Sequence, residues 1–475
     1  LGGIALSFWY LAGLWTNPPA AHGAAYFGGA FVVDRFALIF GAVVLGAAAL
    51  SVLLSVHRKE KDVSGYLALL LWAAMGMMVL AGAGNFLTMF MALEVLSLSL
   101  YVVVAFGEGD MRGKEAAFKY LVLGSAASAA LLYGFALIYG QTGTMDLRQL
   151  ADEVAGLAGE GVPIALKVGV GLVVLAFGFK LALAPFHVWA PDAYQGALAP
   201  VTAFMSVGTR AAAFAGLTRF LLAILPDLGS ELIVPLWVIA GLSMVVGSLG
   251  ACVQANVKRI LAYSSIAHAG YLAIAWLGIA GQGLPDQGLS AGAFYLAAYL
   301  FMNTGAFAIV VWLGKDGREG DELRDFAGLF YRRPWLAAAM TVFMLSLAGF
   351  PTTAGFAGKL FLASTALASG SESAAWLVGL LVATSAVSAY AYVRVVVAMF
   401  RNEPAAAAEE AAPGEAEAAA AKEAGAANPA GALAAGGPEV RFSPALGLVV
   451  LVSAAGTLWL GLVPRTILAP ANQLL

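Results

Sequence analysis

The 475-residue chain is 61% hydrophobic and 11% charged, with a net charge of −3; a soluble domain carries about 25% charged residues, and so small a net charge gives no footing to a nucleic-acid or polyanion partner. A single cysteine, Cys252, excludes an internal disulfide and leaves no thiolate set for an iron–sulfur cluster or structural zinc. The four histidines, His22, His57, His187 and His268, show no HExxH or CxxCH spacing, so neither a metal site nor a redox centre is expected on this chain.

Apolar runs of about twenty residues recur without period-2 alternation. In lipid the backbone must satisfy its own hydrogen bonds, so these runs read as helices and not as barrel strands. The expected fold is all-α, a polytopic transmembrane helix bundle. Thirteen spans are predicted, near residues 1–16, 31–56, 64–84, 85–107, 116–140, 163–197, 198–225, 232–253, 259–281, 289–314, 335–369, 374–400 and 442–463. The first lacks the basic n-region of a signal peptide, and the chain opens on Leu1, so residues upstream are expected to be missing. Of the 25 Lys and Arg, fifteen fall in loops after even-numbered spans, as in HRKEKD, GDMRGK, NVKRI and GKDGREGDELRDF. Three lie on the opposite side, Arg35, Arg148 and Arg465, and seven within spans. That bias puts the even-numbered loops in the cytoplasm and the C-terminus outside. Five parts follow: N-terminal helices over 1–63, five-helix blocks over 64–225 and 232–400, a flexible cytoplasmic Ala/Glu/Gly-rich linker over 401–441, and a C-terminal transmembrane helix within 442–475. The linker has too few bulky apolar residues to bury a core.

Segments six and eleven each cover about 35 residues where a bilayer needs ~20. Pro185 and Pro191 interrupt the first, and AGFPTTAGFAGK with Pro351 the second. Proline removes a backbone donor and clashes with the preceding turn, so both helices are expected to break in mid-membrane and to leave carbonyls and half-helix ends facing a cavity. The breaks are five spans apart. An odd number of spans per block turns the second upside down, and paired interrupted helices in inverted repeats point to a transport path at the midplane.

A charge at the bilayer centre costs ~2.5 to 3.5 kcal/mol and needs a reason. Lys119, Lys167, Arg219 and Arg394 lie within about two turns of span ends, where long side chains snorkel to headgroups; Lys119 is the least secure of these, because it follows GKEAAF on a cytoplasmic approach. Glu94, Lys180, Arg210 and Lys359 lie deep. Burial at ~3 kcal/mol brings a lysine within reach of neutrality, so a nearby carboxylate can hold or release its proton, whereas arginine stays charged and sets a field. His187 and His268 titrate near neutrality and could extend a proton wire, or else be packed, hydrogen-bonded histidines. Ser264, Ser265 and Tyr263 either hold water beside His268 or make ordinary interhelical hydrogen bonds.

Five stretches in this order, ALEVLSLSLYVVVAF, KEAAFKYLVLGSAASA, FGFKLALAPFHVWAPDAYQGA, NVKRILAYSSIAHAGY and LSLAGFPTTAGFAGK, span residues 85–360. Together they resemble the antiporter-like membrane subunits of respiratory complex I, the bacterial NADH–quinone oxidoreductase. The resemblance implies fourteen helices, one more than is predicted here, with two inverted five-helix repeats. It also implies a translocase role, with protons moving along a hydrophilic axis in the inner (plasma) membrane, coupled to quinone reduction elsewhere. By motif match Glu94 is the carboxylate paired with Lys180, Lys359 is the lysine of the second broken helix, and Lys119, His187, Arg210 and His268 belong to the pathway. No cofactor is implied on this chain; NADH, FMN, iron–sulfur clusters and quinone would sit in partner subunits, and other complex I subunits, lipid and protons are the implied partners. Where the family pattern leads one to expect lysine, this chain has Arg210, which puts direct proton relay there in doubt. A subunit of a multisubunit Na+/H+ antiporter is the alternative, because it shares these motifs.

Overall fold

In the computed structural model the described residues are 1–17, 24–56, 62–107, 111–158, 161–280, 285–314, 318–369, 372–401 and 443–471. The predicted linker over 401–441 lies outside them apart from Arg401.

Helices α1 (Gly2–Thr16), α2 (Arg35–Ser55), α3 (Val63–Ala81), α4 (Phe86–Val104), α5 (Met111–Thr142) and α6 (Leu147–Ala158) lead to α7 (Ile164–Leu181), α8 (Trp189–Gly196) and the helical run α9 (Ala199–Cys252). After these come α10 (Val257–Ala280), α11 (Pro285–Leu313), α12 (Leu329–Arg332), α13 (Pro334–Ala348), α14 (Ala354–Ala368), α15 (Glu372–Phe400), α16 (Pro444–Leu462) and α17 (Arg465–Ala471). Among the described residues eleven helical stretches are long and apolar enough to cross a bilayer. The chain is a multi-pass α-helical membrane protein. Several spans start on a polar side chain that takes up an orphan backbone donor: Asp34 from Ala37 N (2.8 Å), Asp62 from Gly65 N (2.8 Å) and Asn85 from Thr88 N (2.7 Å).

The run α9 has 54 residues, and a straight helix of that length would extend ~80 Å against a hydrocarbon core of ~30 Å. It does not run straight. Arg210 in its first half donates from Nε to Leu181 O (3.3 Å), and Ser243 in its second half accepts from Ala184 N (2.9 Å). Two residues so far apart in α9 thus meet one short stretch of chain. The run therefore doubles back between the spans Ala199–Gly229 and Glu231–Cys252, where Pro226 and Pro235 weaken the ladder.

Both expected breaks are present, between α7 and α8 and between α13 and α14. They end in the same way. At the first, Ala182 is left-handed (φ 57°), with Ala182 N to Phe179 O (3.0 Å) and Leu183 N to Gly178 O (2.8 Å). At the second, Gly349 is left-handed (φ 90°), with Gly349 N to Ser346 O (3.0 Å) and Phe350 N to Leu345 O (2.9 Å). This bonding pair is the Schellman closure of a helix C-terminus, which glycine adopts freely and alanine against its Cβ. Pro185 lies in the first break, but Pro191, expected to interrupt as well, sits in the first turn of α8. Its missing N–H has no helical partner to lose at that position.

Burial is uneven. The spans of α10 and α11 are 94% and 89% enclosed by protein, against 33% for α5 and α15. Polar residues on α10 and α11 therefore lie at the centre of the bundle. Hydropathy did not reveal three features at the span ends: a hairpin of β1 (Ala24–Tyr26) and β2 (Phe31–Val33), the amphipathic α6, and the short turns Leu323–Phe326 and α12. Strand β2 reads FVV and was absorbed into the predicted second span.

Candidate functional site

Lys180 is in the last turn of α7 and almost wholly buried (3% exposed). Its Nζ donates to the Tyr101 hydroxyl (3.2 Å) and faces the rings of Tyr101 (5.1 Å), Tyr120 (5.3 Å) and Phe179 (5.5 Å). Ring faces stabilise an ammonium where water is excluded. Tyr101 fits because position 124 on α5 is glycine; a Cβ there would lie 2.6 Å from its Cζ.

Glu94 lies two turns before Tyr101 on the same face of α4 and accepts a hydrogen bond from Ser128 of α5. Lys180 makes no ion pair with it; it reaches Tyr101 instead. The expected Glu94–Lys180 pair is therefore an indirect one, joined through α4.

Arg210 is buried in the first half of α9. It donates from Nε to Leu181 O (3.3 Å), and from Nη1 to Ser206 O (3.3 Å) and to the Tyr299 hydroxyl (3.2 Å). Lys359 holds the matching place at the second break, donating to Leu347 O and Ala348 O, both at 3.0 Å. Each break thus offers the carbonyl end of a half-helix to a buried cation, which the orphan acceptors and the helix dipole both favour.

His268 of α10 joins the two. Its Nδ1 is 2.6 Å from the Tyr295 hydroxyl and its Nε2 3.4 Å from that of Tyr392. Its ring lies 5.3 Å from Tyr299, which Arg210 touches, and 5.4 Å from Tyr271, over whose ring Lys359 Nζ sits at 4.9 Å. Lys180 and Arg210 thus meet at the Leu181 end of α7, and phenols link Arg210, His268 and Lys359 into one buried line. Ser265 and Ser264 hydrogen-bond Tyr299 (2.6 Å) and Tyr392 (2.5 Å). The five tyrosines, Tyr101, Tyr271, Tyr295, Tyr299 and Tyr392, were missed from the sequence. A signal was present: Tyr101 follows Glu94 by two turns, and Tyr295 and Tyr299 are one turn apart in mid-span.

Two predicted residues are off this line. Lys119 is exposed and pairs with Glu115 (2.8 Å) and Asp192 (2.9 Å). His187, in the turn after the first break, is partly exposed, and its Nδ1 has no protein partner. Lys119 belongs to a polar cluster in which Asp192 also pairs with Arg259 (3.0 Å). Nearby, the buried Lys258 bonds Ala197 O and Glu319 (both 2.6 Å), while Asn256 bonds Asp321 (2.8 Å). Burial pushes the loop carboxyl of Asp321 up, against the opposing hydrogen bond of Asn256 and charge of Lys258.

Arg219 and Arg394 do not snorkel as expected, whereas Lys167 stays exposed at its span end. Lys167 pairs with Glu231 (2.9 Å), and Arg219 with Asp34 (2.6 Å) and Ala81 O (2.6 Å). Arg394 donates to Cys252 O (2.6 Å) and Gln254 O (3.2 Å). Ala81 and Cys252 are the last residues of α3 and α9, so each arginine finds a helix end inside the protein in place of a headgroup. Among the described residues no group of three or more His, Cys, Asp or Glu could hold a metal ion.

Residues 83–388 match the family model described as NADH:quinone oxidoreductase/Mrp antiporter, TM. The chain is 44% identical to NADH-quinone oxidoreductase subunit N 1 of Symbiobacterium thermophilum, over 100% of this chain and 90% of that one. It is 40% identical to subunit N of Trichlorobacter lovleyi, over 94% and 85%. Among solved structures it superposes on a chain of respiratory complex I from Thermus thermophilus with bound aureothin (TM-score 0.76, 34% identity, 98% and 91% covered). It also superposes on a chain of the Mrp complex from a Dietzia species (TM-score 0.81, 25% identity, 99% and 90% covered).

Proposed function

Because this chain belongs to the NADH:quinone oxidoreductase/Mrp antiporter membrane family, we propose that it is a proton-translocating membrane subunit, of the subunit N type, in a bacterial NADH–quinone oxidoreductase of the inner membrane. One observation carries this reading: four ionisable residues, Lys180, Arg210, His268 and Lys359, are buried in a membrane bundle and share one line of phenols and helix-end carbonyls. A scaffold would gain nothing for the cost of burying them.

Protons load from the cytoplasmic end near Lys119 and His187. They reside at Lys180, under the field of Glu94 acting through Tyr101, and cross by Arg210 and His268 to Lys359 for release outside. A carboxylate in a low-dielectric interior acts over the two helix turns between Glu94 and Tyr101 without direct contact. This chain holds, orients and passes the proton; NADH, FMN, iron–sulfur clusters and quinone belong to partner subunits.

Two inverted five-helix blocks, 64–225 and 232–400, are supported by contacts that recur at one offset along the chain. Gly76 packs on Ala92 O and Leu96 N, and Gly247 on Tyr263 O and Ala267 N. Glu94 bonds Ser128, and Ser265 bonds Tyr299. The carbonyls of Ala81 and Cys252, at the same offset, each accept from an arginine, Arg219 at the end of α3 and Arg394 at the end of α9.

In membrane vesicles holding the assembled complex, Lys180→Ala and Glu94→Gln should each cut NADH-driven acid uptake at least tenfold while the complex still assembles; full pumping in both rules the assignment out. The likeness to the Mrp chain favours a cation/proton antiporter as second reading. The higher identity to the subunit N relatives weighs against it. Sodium-dependent proton exchange without NADH–quinone reductase activity in the purified assembly would select the antiporter.

A further inference from the structure

A guanidinium has five donors and no acceptor and keeps its charge at any physiological pH, so Arg210 cannot take a proton from one neighbour and give it to the next. The buried line nevertheless runs through it. Its Nη1 donates to the Tyr299 hydroxyl oxygen (3.2 Å), which leaves the phenolic hydrogen for Ser265 Oγ (2.6 Å). Two buried atoms beside this pair have no protein partner, Arg210 Nη2 and Asn303 Oδ1. Arg210 and Asn303 both hold Ser206, by its carbonyl (3.3 Å) and its hydroxyl (2.6 Å). Asn303 is one turn beyond Tyr299 on α11, so an unsatisfied donor and an unsatisfied acceptor flank the phenol. Such a pair suits bound water, which spares buried polar groups the cost of standing unbonded.

We propose that Tyr299 and Ser265 form a proton bypass around Arg210, fed by water held between Arg210 Nη2 and Asn303 Oδ1. This rests on the proton-translocating reading and names the group that carries the proton where arginine cannot. An excess proton delivered to that water from Lys180 passes on to the Tyr299 oxygen as the phenol's own hydrogen passes to Ser265 Oγ, so the water ends neutral. The serine hydrogen in turn passes to water on the His268 side. Each oxygen ends with one hydrogen, no residue changes net charge, and rotation of the two hydroxyls resets the pair. Arg210 serves as the fixed donor that orients the phenol. The internal repeat supplies an independent observation: Ser265 and Tyr299 occupy in the second block the places that Glu94 and Ser128 occupy in the first. The carboxylate–hydroxyl contact of one block is thus matched by a hydroxyl–hydroxyl contact in the other.

The test uses the assembled complex in membrane vesicles and reads acid uptake per NADH oxidised. Tyr299→Phe keeps the buried ring beside His268 and should lower that ratio at least tenfold. Adding Arg210→Lys to it should recover the ratio to within about threefold of wild type, since a buried lysine, unlike arginine, can release its proton and, as the neutral amine, take up another. Ser265→Ala should lose pumping and Ser265→Thr, which keeps the hydroxyl, should retain it. Wild-type pumping by Tyr299→Phe, no recovery in the double variant, or equal loss in Ser265→Ala and Ser265→Thr would overturn the bypass. Lys180→Ala separates the two levels: if it abolishes pumping while Tyr299→Phe does not, the bypass fails and the broader reading stands; if it too pumps normally, the broader reading fails.

Discussion

Replacing Gly124 by alanine adds one methyl group to α5, changes no ionisable side chain, and tests whether Tyr101 positions Lys180. The added Cβ would lie 2.6 Å from Tyr101 Cζ and 3.0 Å from Cε1, well inside ordinary contact. The ring must retreat by about 0.8 Å at Cζ, and its hydroxyl by more. A hydrogen bond of 3.2 Å to Lys180 Nζ does not survive that movement: away from the lysine it exceeds bonding range, and toward it the atoms collide. A hydrogen bond to a charged partner contributes ~1.5–3 kcal/mol, or roughly 10- to 100-fold in any equilibrium that depends on it. Acid uptake per NADH oxidised should therefore fall by about tenfold or more, with assembly retained. Gly140→Ala is the matched control, because it adds the same methyl group to the same helix where nothing lies within 4 Å. Equal pumping by the two variants would refute the claim that the Tyr101 hydroxyl matters to Lys180.

Arg219→Ala leaves the Asp34 carboxylate without its cation and the carbonyl end of α3 without that donor; with side chains 13% and 20% exposed, the loss should be about 2–3 kcal/mol. Denaturant unfolding in detergent would measure it, and an unchanged midpoint would show that the pair does not form. Lys119→Ala should reduce acid uptake by less than threefold, and raised salt should abolish the difference, because this exposed group acts through a screened surface field. A loss as large as that of Lys180→Ala, or one insensitive to salt, would put Lys119 on the path itself.

The deep charges were legible because lipid makes them expensive: Lys180, Arg210 and Lys359 stand out in any apolar run, and the prolines and glycines around them announce both breaks. Their company was not legible. Tyrosine counts toward the apolar total, so the phenols between the cations are invisible to hydropathy, and only the fold brings Tyr299 of α11 to Arg210 of α9. Snorkelling was a sound expectation for Arg219 while its position was known only along the sequence; Asp34, 185 residues away, decides otherwise. The Glu94–Lys180 link was expected from the residues and the resemblance, but the Tyr101 hydroxyl that meets Lys180 was not legible. His187 was expected at the loading side of the path, and the turn after the break leaves it partly exposed.

The doubled-back α9 also bears on movement. Its first span carries Arg210 against one broken helix, and its second holds the same break through Ser243. With no loop between them, a tilt in either half is transmitted along covalent backbone to the other. The first break is thus clamped from two sides by one continuous run, and inserting a few slack residues near position 230 should loosen that clamp without touching a single ionisable group.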